Sequence, residues 1–180
     1  MQTVIDSAYT LDEALAGKDV PEEVRRSLVL VEVAYASFDG RVHAGQLVLH
    51  ERVAEEARAI FADLFARAFP IEKVVPVVAY GWDDDASMRA NNSSAFNYRF
   101  IAGTNELSDH AFGLAIDINP MQNPYTKRGG RIVPDGATYH PAVPGTIAAE
   151  VAALFTERGW EWGGAWDGAR KDWQHFAKRL

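Results

Sequence analysis

An α+β domain, with helices packed on one face of a small antiparallel sheet, is the fold class this chain predicts, and three segments predict it. Leu28 to Ser37 and Val42 to His50 are aliphatic-rich runs joined by Phe38-Asp39-Gly40-Arg41, the pattern of a β-hairpin. Val53, Ala57, Ile60, Phe61, Leu64, Phe65 and Ala68 recur at helical spacing and stop before Pro70, which marks a long amphipathic helix. Thr146 to Arg158 repeats that period through Ile147, Val151, Leu154 and Phe155, with Gly159 as its stop. Shorter signals fill the gaps. Pro21 followed by Glu22 and Glu23 suits a helix start, because proline fits the first turn and acids complement the dipole. Lys73 to Tyr80 reads as a strand. Trp82 to Asn97 reads as an irregular loop, with Asp83-Asp84-Asp85 a solvated charge run and Asn91-Asn92-Ser93-Ser94 turn chemistry. Leu114, Ile116 and Ile118 alternate with Ala115, Asp117 and Asn119, so that segment reads as a half-buried strand with Asp117 turned from the aliphatic face.

A chain of 180 residues with no internal repeat, low-complexity tract or long linker reads as one domain over 1–180, able to bury its own core. The 48% hydrophobic and 24% charged residues are ordinary globular values. Eighteen basic against 25 acidic residues leave a net charge of −7, which disfavours attraction to nucleic acid or to an anionic membrane surface. No apolar run approaches the roughly 20 residues of a membrane span, so membrane insertion is not expected. Cysteine is absent, which excludes disulfides and thiolate-bound metal.

Chemistry concentrates in two stretches. Ser108-Asp109-His110-Ala111-Phe112-Gly113-Leu114-Ala115-Ile116-Asp117 sets an imidazole and a carboxylate seven residues apart around a glycine, and Asp172-Trp173-Gln174-His175 adds a second imidazole. Two histidines and one carboxylate form a common ligand set for a catalytic zinc, and a spare carboxylate three residues before one ligand can serve as general base. Gly113 permits a tight bend or a close backbone approach, letting His110 fold back toward Asp117. Gly163-Gly164 similarly lets the chain pass close to that site. Arg99 sits in the aromatic alternation Phe96-Asn97-Tyr98-Arg99-Phe100 and needs a carboxylate partner, such as Glu106 or Asp109, or an anionic transition state to face. Trp160, Trp162, Trp166 and Trp173 read as core and pocket wall. His43, His50 and His140 have no carboxylate at ligand spacing and read as surface or hydrogen-bonded residues.

The pattern Ser108, His110, Gly113, Ala115, Asp117 resembles the signature of the M15 peptidases, the D-alanyl-D-alanine carboxypeptidase and L-alanyl-D-glutamate endopeptidase family related in fold to hedgehog signalling domains. The blocks Asn91 to Arg99, Ile118-Asn119-Pro120 with Asn123-Pro124-Tyr125, Gly159-Trp160, Trp162-Gly163-Gly164-x-Trp166 and Asp172-x-x-His175-Phe176 resemble its endolysin-like branch, so the likeness runs from about residue 87 to the C-terminus. The resemblance implies a hedgehog/DD-peptidase-like fold and Zn2+ held by His110, Asp117 and His175. It also implies Asp172 as general base and Arg99 as the cation facing the scissile carbonyl. Ser108 is a further candidate for gripping substrate.

Peptidoglycan stem peptides are the partner the resemblance implies. Several carboxypeptidase and dipeptidase members carry Glu-x-x-His at the last motif, whereas Asp172-x-x-His175 follows the endopeptidase-like branch. Cleavage between L-alanine and D-glutamate is therefore slightly preferred over D-alanyl-D-alanine carboxypeptidase or dipeptidase action, with a non-catalytic zinc-bearing module as the reading of another class. The segment Met1 to Asp6 shows neither a basic nor an apolar leader region, so action at the cell wall or periplasm would call for phage-type lysis or a trimmed leader. Oligomeric state is left open.

Overall fold

The computed structural model describes residues 2–127, 129–168 and 170–180; Met1, the first residue of the leader reading, lies outside them. In chain order the elements are β1 (Val4–Ile5), α1 (Leu11–Ala14), α2 (Glu22–Arg25), β2 (Leu28–Ala36), β3 (Val42–His50), α3 (Glu51–Ala66), β4 (Lys73–Val74), α4 (Asp84–Arg89), β5 (Asn92–Ser93), β6 (Ala115–Asp117), β7 (Tyr125–Thr126), β8 (Ile132–Val133), α5 (Ala149–Thr156), β9 (Glu161–Trp162), β10 (Lys171–Asp172) and β11 (His175–Ala177). The α+β class is as expected, but the sheet is divided. One three-stranded sheet has the order β1-β3-β2, a second β6-β11-β9 and a third β10-β7-β8, with β4 and β5 paired separately. The pairs β1–β3 and β4–β5 are parallel.

The hairpin β2–β3 is the scaffold. Its alternation sends Val31, Val33, Tyr35, Leu47 and Leu49 to one face, where α3 lays Val53, Ala57, Ile60, Phe61 and Leu64 against them. Each fully buried side chain of this size contributes roughly 1.5–3 kcal/mol, so truncating Phe61 to alanine would cost about 3–5 kcal/mol once its cavity is counted. His50 caps α3 by accepting from the Arg52 amide, and Ala68, in left-handed backbone at φ 51°, ends the run before Pro70. The opposite face is covered too: Leu28 and Val48 pack with Ala14 and Leu15 around α1, Val24 of α2 and Phe96.

The same core reaches the C-terminal half through Ile116 and Ile118, Phe176, and Val151, Leu154 and Phe155 of α5. Phe155 and Phe176 stack at 3.7 Å. This packing decides what faces outward. Ile116 and Phe176 are register partners pointing into the core, so Asp117 and His175, one residue away on each strand, are also register partners and point to the other side.

Three local expectations change. Lys73 to Tyr80 is strand only at Lys73–Val74, because Pro76 has no amide to donate to a ladder, and Val77–Tyr80 turns into a 3₁₀ helix. Trp82 to Asn97 holds both α4 and β5 rather than an irregular loop. The helix expected over Thr146 to Arg158 is ordered as α5 over a shorter span. Among the described residues, no helix is long and apolar enough to cross a membrane.

Candidate metal centre

His110 stands on a 3₁₀ turn over Asp109–Phe112, entered by Ser108, whose hydroxyl accepts the His110 amide at 3.3 Å. The turn closes at Gly113, at φ 68°, and a Cβ there would stand 2.6 Å from the His50 nitrogen. Both requirements foreseen for this glycine therefore hold: left-handed backbone and close approach, here to the end of the hairpin. The His50 amide donates to the Gly113 carbonyl at 2.9 Å and ties the turn to β3.

His110 Nδ1 is hydrogen-bonded to the Ala95 carbonyl, which assigns the proton to Nδ1 and leaves the Nε2 lone pair facing inward. That Nε2 lies 3.2 Å from Asp117 Oδ2 and 3.2 Å from His175 Nδ1, while His175 Nδ1 lies 3.0 Å from Asp117 Oδ1. The residues are 3%, 8% and 9% exposed. Tetrahedral ligands about 2.0–2.1 Å from a zinc ion lie about 3.3 Å from one another, so each of these contacts is close to the spacing the ion requires, with the two histidines meeting different oxygens of Asp117. His110, Asp117 and His175 are the cluster of possible metal ligands that the described residues bring together.

Electrostatics agree with a site prepared for a cation. Burial pushes the Asp117 carboxyl up, but the charges and hydrogen bonds of His110 and His175 outweigh it and hold the group well below the usual carboxylate range. Burial would lower His175, yet its bond to Asp117 and the nearby carboxylates raise it.

Asp172 lies close enough to feel the charges of all three, and burial pushes it up to about 6. Its Oδ1 is buried without a hydrogen-bond partner, and the partner such an atom calls for is a water or an ion. Gly163 makes room for it, since a Cβ there would meet the Asp172 carbonyl at 2.5 Å. The donor set and this orphaned oxygen together fit a zinc ion with a reactive water.

The surroundings divide the tryptophans as expected. Trp160 is core, edge-on to Phe155, whereas Trp166 stands 5.8 Å from the His175 ring and helps line a cavity of 290 Å³ with Asp109, Glu161, Arg170 and His175. Trp173 stacks on Tyr139 at 3.7 Å. His43, held by Asp6 and Asp39, and His50 and His140, each accepting a backbone amide, are all hydrogen-bonded away from the centre.

Arg99 is paired with neither Glu106 nor Asp109. Its guanidinium meets Asp84 at 3.0 Å, and Asn97 donates to the other oxygen of Asp84 at 3.2 Å. The acidic run is thus more than a solvated face: Asp83 caps α4 through the Ala86 amide, and Asp84 holds two side chains. The legible signal was a capping Asp83, acids in a first turn and Arg89 in a last turn. Gln174, 2% exposed and 3.6 Å from the Met88 sulfur, was not singled out either.

Residues 102–178 match the model of an M15 peptidase family described as D-alanyl-D-alanine carboxypeptidase, so the motif-bearing part of the chain is similar to that family. The match spans Ser108, His110, Asp117, Asp172 and His175 and begins after Arg99. No curated protein and no solved structure matches the chain.

Proposed function

We propose that this chain is an M15-family, zinc-dependent peptidase of peptidoglycan stem peptides, with His110, Asp117 and His175 holding the ion. The observation that carries the reading is the cluster of three buried side chains whose donor atoms meet at 3.0–3.2 Å, His110 and His175 on different oxygens of Asp117, beside a buried carboxyl whose Oδ1 has no partner. When bound, zinc supplies a Lewis acid that polarises the scissile carbonyl and makes water a stronger acid. Asp172 accepts the proton of the attacking water and passes it to the departing amine, a role suited to a carboxyl whose affinity for protons burial has increased. Arg99 presents its guanidinium to the oxygen on which charge develops, and Ser108, buried as the cap of the His110 turn, keeps its own proton available for a substrate oxygen.

Two bonds compete for the site. The matched family's description points to a terminal D-alanyl-D-alanine unit, while Asp172-x-x-His175 follows the branch that cuts between L-alanine and D-glutamate, and we keep the latter as the first bond to test. Either substrate sits in the wall, so the site of action is the cell wall or periplasm. A non-catalytic zinc-bearing module is disfavoured because base and cation are both retained. The test is digestion of purified stem peptides by the zinc-loaded protein, read by mass spectrometry. A cut after L-alanine supports the endopeptidase form; release of free D-alanine alone overturns that preference; no cleavage of either overturns the peptidase reading.

A further inference from the structure

We infer that Asp84 is a positioning residue for this reaction: its carboxylate, presented by α4, holds the Arg99 guanidinium in the orientation that receives the developing oxyanion. The inference rests on the peptidase reading of the preceding section.

The segment carrying Arg99 runs alongside the His110 turn. The Asn97 amide donates to the His110 carbonyl at 3.1 Å, and the Ser108 amide donates to the Arg99 carbonyl at 3.1 Å. The Arg99 backbone is therefore fixed against the turn that bears one ligand, but a long side chain on a fixed backbone keeps most of its rotamer freedom unless its head is held as well.

Asp84 supplies that hold. One oxygen takes Arg99 Nη2 and the other takes Asn97 Nδ2, so a single carboxylate joins two side chains on the segment. Arg99 Nε is buried and has no hydrogen-bond partner in the protein, while the side chain as a whole keeps 30% of its surface.

The same helix also touches the C-terminal segment. Met88, one helical turn beyond Asp84, has its sulfur 3.6 Å from the side-chain amide of Gln174, the neighbour of His175. α4 thus links the segment that carries the cation to the residue between β10, which carries Asp172, and β11, which carries His175. A six-residue helix cannot hold such a position by its own propensity; its cap at Asp83 and these two side-chain contacts fix it.

The experiment is a cycle of Asp84→Asn, Arg99→Ala and the double variant, each loaded with zinc and assayed on the stem peptide that the wild type cleaves. Asp84→Asn keeps size and loses charge. Its kcat should fall roughly tenfold to a hundredfold, the scale of a misplaced catalytic group, with KM within about threefold and zinc content unchanged. In the Arg99→Ala background the same change should alter kcat less than about twofold, because nothing remains to be positioned. Asp84→Glu, which restores the charge, should recover part of the loss.

A second readout needs neither zinc nor substrate. The Arg99 Nε–H resonance of the chelated protein, protected in the wild type, should broaden or exchange rapidly in Asp84→Asn. Equal losses of kcat in both backgrounds, or an unchanged kcat and an unchanged Arg99 resonance in Asp84→Asn, would overturn the inference. Wild-type protein that binds zinc and cleaves no stem peptide would refute the peptidase reading instead. The Arg99 resonance would then still decide whether Asp84 pins the guanidinium.

Discussion

Replacing Asp172 with asparagine should sharply reduce turnover and at the same time stabilise the metal-free protein. The carboxyl is buried beside Asp117, and its pKa is raised from 3.8 to about 6. A raised carboxyl binds its proton more tightly folded than unfolded, so stability is greatest below the unfolded pKa. It falls as pH rises from 3.8 to about 6 and is level above that. At 1.36 kcal/mol for each tenfold change in proton affinity, the ionised carboxylate costs up to about 3 kcal/mol at neutral pH. Asparagine removes that cost while keeping the shape. The rate moves the other way, since an amide accepts no proton from water, and general-base losses are roughly 10² to 10⁴. Denaturant melts of chelated wild type and Asp172→Asn should coincide near pH 4, separate between pH 4 and 6 with the variant more stable, and run parallel above. Zinc-loaded samples should hold equal metal but differ in kcat by that factor. Near-normal turnover in Asp172→Asn would show that another carboxylate is the base, with Glu161 and Asp167 the next to replace. A variant less stable than wild type at pH 7 would refute the argument from burial.

Four further outcomes follow from the geometry. His175→Ala should lose zinc by metal analysis, because two ligands remain of three, whereas His140→Ala, whose ring only accepts the Ala142 amide, should bind zinc as the wild type does. Zinc affinity should fall as pH drops, since the neighbouring carboxylates raise the His175 pKa and the proton must leave before the metal binds; calorimetry in buffers of different ionisation enthalpy would detect that proton, and an affinity flat from pH 5 to 7 would contradict it. Arg99→Lys should retain zinc and lose at least about tenfold in kcat, because a point charge does not replace a planar fork paired with Asp84; wild-type kcat would count against Arg99. Gly113→Ala should destabilise by at least about 1–2 kcal/mol from the left-handed backbone alone, and the contact with the His50 nitrogen adds to this; an unchanged melting temperature would mean the turn can shift freely.

How much of this was legible in the sequence depends on the range over which each feature is determined. The hairpin, α3 and α5 could be read because hydrophobic period and turn residues are local properties, and the ligand motif could be read because the chemistry demands particular residue types around a glycine. Gly113 was legible for the same reason, although its contact with His50, far away in sequence, was not.

Tertiary structure decided the rest. His110 and Asp117 are seven residues apart, but His175 joins them only because Phe176 and Ile116 pack as register partners in the core, which turns the adjacent Asp117 and His175 outward together. The pairing of Arg99 with Asp84 rather than Glu106 or Asp109 depends on α4, a helix too short for its period to stand out and stable only through its cap and its neighbours. Sequence alone determined which atoms could bind a cation and move a proton. Register, burial and the position of α4 decided that they meet, with what proton affinity, and who holds the arginine, because those are properties of contacts between segments that no local pattern encodes.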